Sequence, residues 1–117
     1  MEQDYDKLCS EILHVDPKIR QVAIYDIWAE MIASKLQNGI EPYLPEKSSK
    51  DSANQAILRW QSRKDLKSWV GKAKYSMTEY EKIKRFTFYI DEDKLVLVTT
   101  EPDMDQTNLI SKIQELS

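Results

Sequence analysis

Cysteine, histidine and glycine are nearly missing from this 117-residue chain, which has one Cys, one His and two Gly. A single cysteine, Cys9, allows no intrachain disulfide, and with His14 as the only histidine no Cys/His zinc site can be assembled. Gly39 and Gly71 stand too far apart for either G-x-x-x-x-G-K-[ST] or G-x-G-x-x-G, so neither phosphate-cradling loop is present. No apolar run approaches the ~20 residues of a membrane span. The acidic start, Met1-Glu2-Gln3-Asp4, does not read as a signal peptide. What remains is 41% apolar and 32% charged with a net charge of −3, which suits one cytoplasmic domain over residues 1–117. Such a length buries enough apolar surface to fold without metal or disulfide.

The clearest periodicity is at the N-terminal end. Tyr5, Leu8, Cys9, Ile12 and Leu13 fall at i, i+3, i+4, i+7 and i+8, predicting a helix over Glu2–Val15 that Asp16-Pro17 ends. Asp4 and Asp6 favour its first turn through the helix dipole. The stretch Ile19–Leu36 admits two readings. One is a long helix ending at Gly39, on the spacing of Tyr25, Ala29, Ile32 and Leu36. The other is a hairpin of Arg20–Ile27 and Met31–Leu36, turning at Trp28-Ala29-Glu30.

Asn38 to Lys50 reads as a loop, broken by Gly39, Pro42 and Pro45. Ser48-x-x-Asp51 resembles a capping box and predicts a helix from there to Trp69 or Val70, stopped by Gly71. Alternation then predicts strands over Lys72–Tyr80 and Lys82–Ile90, a turn at Asp91-Glu92-Asp93 and a buried strand over Leu95–Thr100. A last helix opens at Pro102-Asp103 with Leu109, Ile110, Ile113 and Leu116 as its stripe. The order is α-β-β-α-β-β-β-α: an α+β domain, one five-stranded antiparallel sheet with three helices.

This order, together with particular stretches, resembles the roadblock (dynein light chain) fold, a relative of longin and profilin-like domains. A closer resemblance is to an uncharacterised archaeal family of about this length, described as roadblock-like. The stretches are Asp16-Pro17-Lys18-Ile19-Arg20, Ile24-Tyr25-Asp26, Ile32-Ala33, Leu58-Arg59, Arg63-Lys64-Asp65-Leu66 and Val98-Thr99-Thr100-Glu101-Pro102-Asp103-x-Asp105. The resemblance spans roughly residues 5–115 and implies the hairpin rather than the long helix. It departs at the first turn, where similar sequences place Gly and this chain has Trp28-Ala29-Glu30. Roadblock-type proteins act as dimers, and as regulators or scaffolds for small GTPases or motor complexes.

The middle helix carries the most functional signal. Wound at ~100° per residue, Ala53, Ala56, Ile57 and Trp60 share one side, while Leu58, Leu66 and Trp69 lie near the opposite one. A helix on its own sheet needs one apolar stripe, so the second calls for a partner or for cover by the Asn38–Lys50 loop. The expected dimer interface is Leu58, Leu66 and Trp69 with Tyr75 and Met77 from the following strand, whose edge can pair with its counterpart.

Charge is segregated as well. Residues 59–85 hold nine bases against three acids, a surplus of +6, which leaves −9 for the rest of the −3 chain. Arg59, Arg63 and Lys67 fall on one helix face at i, i+4 and i+8 and are the candidate anion contacts. Lys residues protecting exposed strands produce the same count. Nucleic acid is a poor fit for an acidic chain without a binding motif.

Glu101, Asp103 and Asp105 have neither the glycine nor the ligand series of a calcium loop and are expected to cap the last helix. Cys9 is on the apolar stripe and His14 on the polar side of the same helix, so they form no catalytic pair. No enzyme activity, metal or cofactor is expected. The second functional reading is a small-ligand sensor lined by Tyr25, Trp28, Phe86, Phe88 and Tyr89.

Overall fold

The computed structural model describes residues 4–116. The first helix, α1, spans Tyr5–Leu13; the expected start at Glu2 lies outside the described residues. Asp4 precedes the helix as its N-cap, its side chain accepting from the Lys7 N–H at 3.1 Å. Leu8, Cys9, Ile12 and Leu13 are buried, so the apolar stripe is the face laid on the sheet. The helix stops before Asp16-Pro17, at His14, whose ring Nδ1 lies 2.6 Å from the Ser10 carbonyl.

The ambiguous stretch is a hairpin. Strand β1 is Ile19–Asp26 and β2 is Met31–Leu36, paired antiparallel with a bulge at Ile24/Tyr25. Asp26 organises the turn: its carboxylate accepts from the N–H groups of Trp28 at 2.9 Å and Glu30 at 3.0 Å. Ala29 occupies the left-handed region at φ 61°, the position where glycine would be unstrained.

The middle helix departs from expectation at both ends. It begins earlier, as α2 over Glu46–Lys64 with Pro45 as N-cap, so Ser48 and Asp51 lie inside it rather than capping it. Proline's fixed φ and the carboxylate of Glu46 in the first turn suit this start. It also ends earlier. Asp65 and Leu66 close it with turn hydrogen bonds to Ser62 and Arg63, and a separate short helix α3, Lys67–Val70, follows. After Trp60 the next positions of the sheet-facing stripe are Arg63 and Lys64, so no apolar anchor keeps a longer helix on the sheet. Gly71, at φ 85°, ends α3.

Strands β3 (Tyr75–Glu79), β4 (Lys84–Ile90) and β5 (Lys94–Thr100) complete one five-stranded antiparallel sheet in the order β2-β1-β5-β4-β3. Both β3 and β4 start later than the alternation suggested. The last helix, α4, is Gln106–Leu116, three residues beyond its expected start at Asp103. Of the three acids expected to cap it, only Asp105 does so, accepting from the Asn108 N–H at 3.3 Å. Asp103 pairs instead with Lys18 at 3.1 Å, and Glu101 takes two bonds from Arg20, at 3.0 and 3.1 Å. The same Arg20 guanidinium donates to the Glu41 carbonyl at 3.0 Å and lies 4.2 Å from the Tyr43 ring centre, holding the loop before α2 against the sheet.

The fold is the α+β arrangement expected, with the middle helix divided so that four helices accompany the sheet. Helices α1 and α4 share one face, over Val22, Ile24, Phe86, Phe88, Val96 and Val98. Helix α2 lies on the other, over Ala23, Tyr25, Leu95 and Leu97. Among the described residues no helix is long and apolar enough to cross a membrane.

Candidate functional site

Helix α2 is held by few apolar side chains. Ala53, Ala56, Ile57 and Trp60 are buried, and the Trp60 ring stacks on Tyr89 at 5.1 Å between centres. Lys64 places its ammonium 4.1 Å from the Trp60 ring centre, and Arg63 donates to the Tyr89 hydroxyl at 2.7 Å. These contacts fix the end of α2 above the sheet and define its two flanks.

Alongside α2, the strands β3 and β4 are left partly uncovered. The register puts Arg85 and Thr87 of β4 beside Thr78 and Ser76 of β3 on this face. Arg85 reaches up to hydrogen-bond the Ser52 hydroxyl on α2. Arg59 and Arg63 border the same space, a cavity of about 260 Å³ that no carboxylate lines. Burial lowers the pKa of Arg85, and the Arg59 guanidinium adds to that, against the opposing pull of the Tyr80 and Tyr25 hydroxyls. Among the described residues none of Arg59, Arg63 and Arg85 makes an ion pair.

Of the three candidate anion contacts, Arg59 and Arg63 are therefore together, and Lys67 is elsewhere. Lys67 lies with Lys64 and Lys72 around a second cavity, of about 210 Å³, which Arg63 also borders and which contains Asp91 and Glu92. Lys72 and Glu92 there approach to 3.8 Å. The arginine absent from those candidates, Arg85, belongs to the same +6 surplus of residues 59–85 and comes from the strand that carries Phe86 and Phe88. The alternation did place Arg85 opposite them; nothing local showed which helix would leave it open.

The five candidate interface residues are divided by the sheet. Leu58, Leu66 and Trp69 are exposed on the α2–α3 side, Trp69 by 84% and its neighbour Val70 by 79%. Tyr75 and Met77 point to the α1/α4 side, opposite Phe88 and Phe86, with the Tyr75 ring 6.1 Å from that of Phe88. Between the two groups runs the outer edge of β3, which has β4 as its one partner among the described strands.

The aromatic set of the ligand-sensor reading is divided too. Phe86 and Phe88 are in the α1/α4 core, Tyr25 and Tyr89 are on the α2 side, and Trp28 is exposed in the hairpin turn. Cys9 is fully buried and its thiol is pushed up to about 11, chiefly by burial and then by Asp6, despite the pull of Lys35.

A family of unknown function, DUF6659, matches residues 2–116. No curated protein matches the sequence. Among solved structures, a Roadblock/LC7 domain from Streptomyces avermitilis superposes with a TM-score of 0.74 at 14% identity, over 97% of this chain and 92% of that one. An MglB in a tetrameric arrangement gives 0.76 at 11% identity, over 99% and 87% of the two chains. Profilin from Schizosaccharomyces pombe gives 0.65 at 10% identity, over 96% and 91%. The fold is thus roadblock-like, as the sequence resemblance implied.

Proposed function

The chain belongs to the DUF6659 family, and we propose that it is a cytoplasmic, non-catalytic interaction module that pairs with a second copy of itself. In this reading the pair is a regulator or scaffold for a protein partner such as a small GTPase. The observation that carries it is the apolar surface of Leu58, Leu66, Trp69 and Val70, with Trp69 84% exposed. Exposed aromatic anchors of this kind are characteristic of interfaces, and a solitary chain keeps them at a cost in solubility. The free edge of β3, five residues beyond the end of α3, adds a means of pairing through main-chain hydrogen bonds. Tyr75 and Met77 flank that edge from the far side of the sheet and would be gathered into the contact with it. The tetrameric arrangement of MglB is in keeping with self-association on this fold. The buried, protonated Cys9 and the His14 ring turned to its own helix carbonyl are not disposed as a nucleophile and base.

Light scattering across micromolar concentrations tests this. The expected mass is twice the 13.8 kDa of one chain, unchanged by added salt. Trp69→Glu is expected to give a folded monomer. A variant that stays dimeric removes α3 from the interface, and a monomeric wild type removes the proposal.

A further inference from the structure

The cavity between α2 and strands β3 and β4 has a composition that neither self-association nor core packing calls for. Three guanidinium groups, Arg59, Arg63 and Arg85, border about 260 Å³ of space, and the other polar groups around it include the hydroxyls of Ser52, Ser76, Thr78 and Thr87. Folding brings these like charges together around a space that no carboxylate lines, an arrangement that an entering anion would relieve. Arg85 is the telling member. It rises from an interior strand of the sheet, half-buried, and its hydrogen bond is to a neutral hydroxyl. Arg63 stands between this cavity and the neighbouring one, held by the hydroxyl of Tyr89, which lines the neighbour. The neighbouring lysine-rich cavity differs in that it already contains Asp91 and Glu92, with Lys72 close to Glu92.

We propose that the Arg59/Arg63/Arg85 cavity binds a compact phosphate-type anion, either free or as the terminal phosphate of a small metabolite. Guanidinium forks match the tetrahedral oxygens bidentately, and hydroxyls on the floor take the remaining lone pairs. The size sets the class. At about 260 Å³, a little under the ~300 Å³ from which sites for drug-sized ligands run, the space has room for a phosphate or pyrophosphate with a small appended group.

Calorimetric titration of the full chain with inorganic phosphate, pyrophosphate and glycerol phosphate, at ionic strength fixed with chloride, tests the proposal and separates the two sources. Saturable one-to-one binding of at least one of the three is expected. Preference for glycerol phosphate assigns the site to a metabolite, and preference for either inorganic ion assigns it to the free anion. Arg59→Gln and Arg63→Gln are each expected to weaken binding about tenfold or more, with unchanged circular dichroism. Lys112→Gln, which removes the same charge from α4 on the opposite face, is expected to leave it unchanged. Absence of saturable binding overturns the proposal. So does a loss of less than threefold in both arginine variants, or an equal loss in Lys112→Gln, which would make the attraction one of diffuse charge.

Discussion

On one face of the sheet, α1 and α4 lay buried stripes over β1, β5 and β4; on the other, α2 covers Ala23, Tyr25, Leu95 and Leu97 and meets β4 at its margin, through Tyr89 and Arg85. The difference is one of width. Strands repeat at about 4.8 Å and a helix with its side chains is about 10 Å across, so a single helix roofs about two strands. The residue types follow that line. Beneath two helices β4 presents Phe86 and Phe88; along the rim of α2 it presents the half-buried Arg85 and the buried Thr87. One face is therefore a core, and the other is a core with a polar margin, and the candidate site belongs to the margin.

Truncating one large ring on each face would sharpen this contrast. Phe86→Ala, at a fully buried position between two helices, is expected to cost about 4–5 kcal/mol. Trp60→Ala is expected to cost about 3 kcal/mol, since the space it leaves opens toward the cavities beside α2, where water and Tyr89 can adjust. Urea unfolding of both variants measures the difference, and equal losses would mean that α2 seals its face as fully as the helix pair does.

Cys9 probes the closed face more gently. Its thiol is expected to react with a soluble disulfide reagent only under denaturant. Folding raises this acid's pKa, so above the ordinary thiol value the unfolded chain loses a proton that the native chain keeps. Its contribution to stability is accordingly full below about pH 8 and declines as the pH rises toward the native value of about 11. A thiol that reacts in the native protein would show that α1 opens readily.

The smallest effect is expected at Ala29, whose methyl packs into the α2-side cluster from a left-handed backbone position. Glycine would relieve about 1–2 kcal/mol of backbone strain. It would also lose about 0.8 kcal/mol of methyl burial and about 0.4–1 kcal/mol to unfolded-chain entropy. Ala29→Gly should thus change the melting free energy by less than about 1 kcal/mol. A much larger loss would mean that this methyl helps to hold α2.

Much of the closed face was legible in the chain, because its signals are periodic and local. Leu8, Cys9, Ile12 and Leu13 recur at helical spacing and are buried together, and the alternation of Phe86 and Phe88 with Arg85 and Thr87 sorts the two faces of β4 correctly. The hairpin needed the resemblance as well, since Val22-Ala23-Ile24-Tyr25 is buried on both faces and shows no clean period. The stretches Asp16–Arg20 and Glu101–Asp105 carried part of that resemblance, and they meet in the fold as the Lys18–Asp103 and Arg20–Glu101 pairs. Less of the open face could be read. The break of α2 at Asp65-Leu66 has no glycine or proline to mark it and follows from the loss of sheet contact after Trp60. Likewise the meeting of Arg85 with Arg59 and Arg63 depends on where α2 comes to rest, which no local pattern records.

The strand order β2-β1-β5-β4-β3 sets a timetable for the chain as it is made. Strand β1 can pair with β2 as soon as the hairpin leaves the ribosome, but its other edge waits for β5, whose Thr100 faces Ile19. Until then Val22 and Ile24 have only part of their cover, and the last loop to close is the longest, which slows folding and exposes an unpaired apolar strand meanwhile. Completion of the sheet is therefore a single late event that joins the first third of the chain to the last, and a nascent chain halted before Lys94 would be a substrate for chaperones rather than a smaller version of the fold.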